Sequence, residues 1–289
     1  MATSMRGKSI RPLFSIDSGD VNLAELHEAD LEAGEDVESH ALDDEDDNEV
    51  LTDASYNMLS GKLPNVIGKL GNLEYLDLSG NLFEGEVSEI FNAEHIKIRG
   101  WNIGPLFPVW FRTQKLIWDV DISDGGILGE VPTWFWNLTS QIRILNLSHN
   151  QFVGEVPNIS PPSIEYGDPW LMYLGSNNFS GPLPQISTNV SLLDLSKNSF
   201  SKGLSNLLCE AKNKSYKLEI LNLEGNDLSE EIPDCWMNWP ELRFLILRDN
   251  NLIGGIPKSM EVLSNLQSLD LGRNRLNGPF PSSLGNCIK

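Results

Sequence analysis

Apolar residues recur along most of this chain with a beat that neither a plain helix nor a plain strand produces. Five stretches show it: LEYLDLSGNLFEGEV (73–87), IRILNLSHNQFVGEVP (142–157), LEILNLEGNDLSEEIP (218–233), LRFLILRDNNLIGGIP (242–257) and LQSLDLGRNRLNGPFP (266–281). Their common form is L-x-x-L-x-L-x-x-N-x-L-x-G-x-I-P. Aligned on the Asn, the slots fall at 57, 81, 101, 125, 150, 177, 198, 226, 250 and 274, with spacings of 20 to 28 residues. Asn fills eight of the ten slots; Trp101 and Gly125 hold the others. The positions three before, two after and six after the slot are apolar in all ten. At 40% apolar composition, each such column has a chance probability of roughly one in ten thousand, so the register is real.

The pattern predicts one structural unit per repeat. The L-x-L pair alternates with period two, which reads as a short strand with its leucines pointing inward. A single turn of this length cannot bury its own apolar face, so the turns must stack into a solenoid with a continuous core. Nine to ten parallel strands on one sheet follow from the ten-slot register. A buried Asn at the bend can bond backbone groups of its own and the neighbouring turn. Gly, four residues past the slot in seven of ten repeats, permits a bend that other residues would strain. Pro, seven past the slot in eight of ten, fixes φ and lacks an N–H, which suits an edge segment.

Charge divides the chain. Residues 1–53 hold 16 Asp and Glu against Arg6, Lys8 and Arg11, a large part of the net −20. This sets a boundary between an acidic tail, 1–53, expected to be disordered because it is too charged to build a core, and a repeat domain, 54–289. The net negative charge argues against nucleic-acid binding, which needs a basic face. No apolar run reaches the length of a membrane span, and the N-terminus lacks the apolar core of a secretory signal. None of the four His sits in a metal or catalytic constellation, and no nucleotide-binding or hydrolase motif is present, so neither enzyme activity nor a cofactor is expected.

The L-x-G-x-I-P that follows each Asn resembles the plant-type leucine-rich repeat family over about 55–289. The resemblance implies an α/β-type repeat solenoid, a right-handed superhelix in a horseshoe arc with a parallel concave β-sheet. Stretches such as NIGPLFPVWFRTQKL (102–116), VDISDGGILGEVPTWFWNL (120–138), SNLLCEAKN (205–213) and EIPDCWMNWPEL (231–242) are similar to ectodomains of plant receptor-like proteins of innate immunity. What this implies is a non-catalytic recognition module on the outer side of the cell membrane. A protein or peptide ligand, and a co-receptor, would bind its concave sheet. An intracellular or secreted scaffold, or an inhibitor like the polygalacturonase-inhibiting proteins, is the alternative. Family ectodomains start with a signal peptide and a Cys-bearing cap. Met1–Asp53 stands there instead, and FPSSLGNCIK closes the chain without a cap, so the sequence reads as an internal slice of a longer receptor.

The candidate residues follow from the register. Strand positions six, four, two and one before each slot should face solvent on the concave side. Leu171, Leu192, Ile220 and Phe244 then form an apolar stripe at one register, the kind of patch that marks a partner site. With Tyr173, Asp194, Asn222 and Arg248 they make the candidate ligand-binding set; Phe244 and Tyr173 are the anchors, and Arg248 pairs an acidic group of the partner. Ordinary surface under loop cover is the competing reading. His95, Lys97 and Arg99 face Asp119, Asp121 and Asp124 as a cross-strand charge ladder. Cys209 and Cys235 sit 11 and 9 residues after slots 198 and 226, on neighbouring coils about 5 Å apart, within disulfide reach in an oxidising compartment; Cys287 has no partner in the chain. Six N-x-S/T sequons, at Asn137, Asn146, Asn158, Asn178, Asn189 and Asn213, are candidate glycosylation sites, and a sugar on Asn146 would stand on the concave face. Trp110, Trp134 and Trp236 read as convex-side packing.

Overall fold

The structure, a computed structural model, describes residues 50–63, 73–84, 93–159, 169–209 and 215–281. The acidic run and the expected disorder of the tail lie outside the described residues, as do Asn213 and Cys287. Residues 48–289 form one compact unit.

Within it, ten strands join in chain order into one parallel sheet: β1 (Val50–Asp53), β2 (Leu73–Asp77), β3 (His95–Lys97), β4 (Asp119–Asp121), β5 (Ile144–Asn146), β6 (Trp170–Tyr173), β7 (Val190–Asp194), β8 (Ile220–Asn222), β9 (Phe244–Ile246) and β10 (Ser268–Asp270). Their middle residues, Leu76, Ile96, Val120, Leu145, Met172, Leu193, Leu221 and Leu245, point into the core with at most 3% exposure. The apolar column three before the slot packs behind them: Leu147, Leu195, Leu223 and Leu247 are fully buried, and Leu271 is partly buried against the same core. β1 pairs with β2 from Val50 to Asp53. The first coil therefore starts inside the stretch assigned to the tail by charge, because the sheet edge offers backbone partners that the Thr52–Ala54 side chains do not advertise.

The slot asparagines form a ladder. Asn150, Asn177, Asn198, Asn226, Asn250 and Asn274 each donate from Nδ2 to the carbonyls three and two residues back and to one carbonyl of the preceding coil. Each Oδ1 accepts a backbone N–H from the preceding coil, as Asn226 does from Phe200 at 3.0 Å. Asn81 repeats the arrangement, whereas Asn57 bonds only Ala54 and Ser55 of its own coil. One amide thus satisfies backbone groups that a sharp bend would leave orphaned in a dry interior. Asn226→Ala strips these partners at once; a loss of about 2–3 kcal/mol is expected in urea unfolding, against a few tenths for the exposed Asn57→Ala.

The residue before every slot carries a positive φ, from 50° to 74°, yet Gly holds only three of the ten places. Tyr56, Asp124, His149, Ser176, Lys197, Asp249 and Arg273 accept a left-handed backbone that costs each about 1–2 kcal/mol; for His149, Ser176, Lys197, Asp249 and Arg273 the ladder Asn that follows over-determines it. The glycine four past the slot is left-handed as expected, for example Gly154 at 90° and Gly181 at 86°. It does more than bend. A Cβ at Gly181 would come 2.7 Å from Cγ of Glu155 on the preceding coil, so the absence of a side chain lets that coil's Glu lie flat.

Just past the slots, and running through that glycine in three coils, lies a second parallel sheet that the L-x-L pattern does not predict. Its strands are Leu128–Glu130, Gln151–Glu155, Asn178–Gly181, Ser199–Lys202 and Asp227–Leu228. Phe152, Phe179 and Phe200, two past the slot, stack inward from it with centroids 6.0 and 6.4 Å apart. On the far side, Trp236 is buried and Trp110 and Trp134 pack half-buried on the core. Cys209 and Cys235 are joined, Cα atoms 5.5 Å apart.

Candidate ligand-binding face

Strand pairing sets two rungs across the sheet face opposite the core. One rung runs Tyr75, His95, Asp119, Ile144, Leu171, Leu192, Ile220, Phe244, Ser268. The other runs Asp77, Lys97, Asp121, Asn146, Tyr173, Asp194, Asn222, Ile246, Asp270. The four residues of the expected stripe are consecutive on the first rung, and Ile144 extends it by one strand. Tyr173 adjoins it on the second. These six apolar side chains are buried, and among the described residues they are also the only buried hydrophobic residues outside the solenoid's own core cluster. The stripe is therefore a separate apolar group on the other side of the sheet.

Its exposure departs from expectation. Leu171 is 5% exposed, Tyr173 7%, Leu192 3%, Ile220 6% and Phe244 7%, where solvent-facing side chains were expected. Strand spacing contributes, because each residue is flanked on both sides by the same rung of its neighbours.

Asp194 and Asn222 also take a different role. Asp194 Oδ1 accepts the Ser196 N–H at 2.9 Å, and Asn222 Oδ1 accepts the Glu224 N–H at 3.1 Å. Asp53, Asp77, Asp121, Asn146 and Asp270 do the same for the N–H two residues on. The Asp/Asn four before the slot ends the strand by an Asx turn and is committed to its own backbone. The recurrence of Asp or Asn at that position was the available signal. Arg248 is engaged too, with Asp249 Oδ2 at 3.3 Å and Asp270 Oδ2 at 3.5 Å. Asp270, chiefly, holds its guanidinium pKa above the ordinary value.

The charge ladder is partly formed. His95 Nδ1 lies 2.7 Å from Asp119 Oδ2, and its ring packs on Tyr75 and Trp118. Lys97 reaches the Tyr75 hydroxyl at 3.3 Å, while the Asp121 carboxylate accepts from Ser123 and Asn146.

Burial pushes the carboxyl pKa of Asp121 and of Asp194 above the ordinary carboxylate range, against hydrogen bonds from Ser123 and Ser196 that act the other way. Burial, then the charges of Asp194 and Asp121, push Tyr173 up as well. A carboxyl raised in the folded state binds its proton more tightly folded than unfolded. Its favourable contribution is present below the unfolded pKa and is lost as pH rises through the folded value. Asp194→Asn keeps an oxygen for the Ser196 N–H, as Asn146 and Asn222 do at the same slot. The variant is expected to lose less stability than the parent as pH rises from about 4, and to be at least as stable at neutral pH, measured by thermal melts across pH.

The sequons separate by environment. Asn137, Asn158 and Asn178 are exposed and Asn189 is half-buried. Asn146 is 5% exposed, with Nδ2 donated to Asp121 and Oδ1 accepting from Ser148 N and Oγ. Among the described residues, no group of His, Cys, Asp or Glu could hold a metal ion, and no helix is long and apolar enough to cross a membrane.

Stacked parallel strands, an Asn ladder and a second sheet just past the slots define a leucine-rich repeat solenoid. The Leucine Rich Repeat family model matches residues 72–93, 141–163, 217–239 and 265–287, so these stretches of the chain are repeats of that family. Within it, the chain is similar to the receptor-like protein EIX2 of Solanum lycopersicum, 34% identical over 76% of this chain and 24% of that protein. It spans about a quarter of the length of the receptor-like relatives it matches. Of solved structures, a TDR receptor is 25% identical with a TM-score of 0.66, covering 83% of this chain and 46% of that one. The Arabidopsis receptor kinase HAESA ectodomain, in complex with an N-terminally extended IDA peptide hormone ligand, is 27% identical with a TM-score of 0.63, covering 80% of this chain and 44% of that one.

Proposed function

We propose that this chain is the ligand-recognition part of a receptor-like protein, working outside the cell without catalysis, and that a peptide or protein partner docks along the rung Ile144–Leu171–Leu192–Ile220–Phe244. A co-receptor would be its second partner. The observation that carries the reading is the row of apolar side chains on the sheet face away from the core, outside the core cluster. A solenoid needs no such row for its own stability, since each strand already buries its middle residue on the other side. HAESA, of the same architecture, is solved with a peptide hormone. Asp194 and Asn222 drop out as contacts because their oxygens end their strands, and Arg248 serves the partner only by leaving Asp270.

The test uses peptides selected from a displayed library on the intact chain. Phe244→Ala removes a buried ring and lowers the melting temperature; measured where the variant is still fully folded, it is expected to weaken the selected peptides by about 30-fold, about 2 kcal/mol. If binding survives Phe244→Ala and Tyr173→Ala but fails on Arg99→Ala, the site lies on the N-terminal coils and the reading is wrong.

A further inference from the structure

A groove of about 390 Å³ is lined by the helix Thr133–Leu138, the second-sheet strand Gln151–Glu155 and the segment that follows it. Two of the six sequon asparagines, Asn137 and Asn158, both line it. Asn137 is exposed, and its side-chain amide has no hydrogen-bond partner among the described residues. Asn158 is exposed too, and its Oδ1 accepts the Gln185 N–H at 2.9 Å, which fixes the amide and leaves Nδ2 for another bond. The groove walls are amphipathic: the half-buried Trp136 ring and Val153, 40% exposed, stand beside the carboxylates of Glu130 and Glu155. A sugar ring has the matching character, with a C–H face for an aromatic or aliphatic wall and hydroxyls for carboxylates.

We infer that Asn137 and Asn158 carry N-linked glycans whose first sugars lie in this groove, and that Asn146 carries none. The inference rests on the extracellular reading above. The donor is a lipid-pyrophosphate-linked oligosaccharide. The Asn amide nitrogen bonds the anomeric carbon, the carbon–oxygen bond to pyrophosphate breaks, the amide loses one proton, and the lipid pyrophosphate leaves. At Asn146 the same nitrogen is the one donated to Asp121, inside the sheet; a sugar there would break the strand-end turn and stand over the Ile144–Leu171 end of the stripe. The consequence for recognition is directional. A glycan in the groove closes this flank to protein partners and leaves the sheet face open.

The experiment takes the native protein from tissue and maps each sequon by glycopeptide mass spectrometry. Hydroxyl-radical footprinting of Trp136 and Val153 then compares it with an Asn137→Gln, Asn158→Gln variant. Expected are sugars at Asn137 and Asn158, an unmodified Asn146, and several-fold more labelling of Trp136 and Val153 in the variant, whose melting temperature stays within a few degrees of the parent. Occupied sites with unchanged labelling would show that the groove is not the seat. Sugars at Asn178 or Asn189 without Asn137 and Asn158, or a sugar on Asn146, would overturn the inference while leaving the extracellular reading standing. A protein with no sugar at any sequon would overturn the inference and count against that reading.

Discussion

Phe179→Ala is expected to cost the solenoid about 3–5 kcal/mol. Phe179 is 1% exposed and stacks between Phe152 and Phe200, with Trp136 at a centroid distance of 6.4 Å. Its backbone N–H is held by Asn198 Oδ1 at 3.0 Å, a bond the substitution leaves in place. The loss therefore reports packing alone, as transfer free energy plus the cavity left between two rigid rings. In a solenoid each coil touches only its neighbours, so the damage should also lower the cooperativity of unfolding around coils 150–198. Urea unfolding followed by tryptophan fluorescence measures both midpoint and slope. Phe179→Leu, which keeps most of the volume, should lose under about 1.5 kcal/mol; equal losses for the two variants would mean the ring stack is not tight.

Reduction of the Cys209–Cys235 disulfide is the second large effect. The two cysteines are 26 residues apart in sequence, and the loop-entropy relation gives about 3.5 kcal/mol for a link of that span. The link ties the helix Ser205–Leu208 of one coil to the turn Trp236–Asn238 of the next. The same junction is pinned by Trp239 Nε1–H donating to the Leu208 carbonyl at 3.1 Å and by Tyr216 stacked on Trp239 at 4.1 Å. These contacts survive reduction, so the fold should persist while the melting temperature falls by several degrees. A Cys209→Ser, Cys235→Ser variant should match the reduced parent. No difference between oxidised and reduced protein would mean the pair is not bonded in solution.

Much of the architecture is legible in the sequence because a solenoid's constraints are local and repeated. Each slot column tests the same geometric position ten times, so the strand, the inward leucines, the Asn and the glycine bend stand out of the noise. The apolar stripe was legible for the same reason: knowing which strand residues face away from the core is arithmetic once the slot is fixed. The Asx turn is less visible, because an Asp that ends a strand has the same composition as one that faces water. Asp53, Asp77, Asp121, Asp194 and Asp270 look like surface charge, and only the hydrogen bond to the N–H two residues on reveals what they do.

The repeat, its register, the core columns and the pairing of neighbouring coils are all written in the chain, because they depend on residues within about one turn of each other. The tertiary structure decided what depends on how coils lean on one another. It decided that seven residues without glycine's freedom hold a left-handed φ, five of them pinned by the ladder Asn that follows. It placed a second sheet just past five of the slots, where the apolar residue two past the slot marks the core but not the pairing of the backbone around it. It sorted the sequons, setting Asn146 inside the sheet and Asn137 and Asn158 on one groove, since a sequon specifies chemistry and not burial. And it drew Leu171, Leu192, Ile220 and Phe244 down to a few per cent exposure, because the solvent a strand residue sees is set by its neighbours and not by its own place in the alternation.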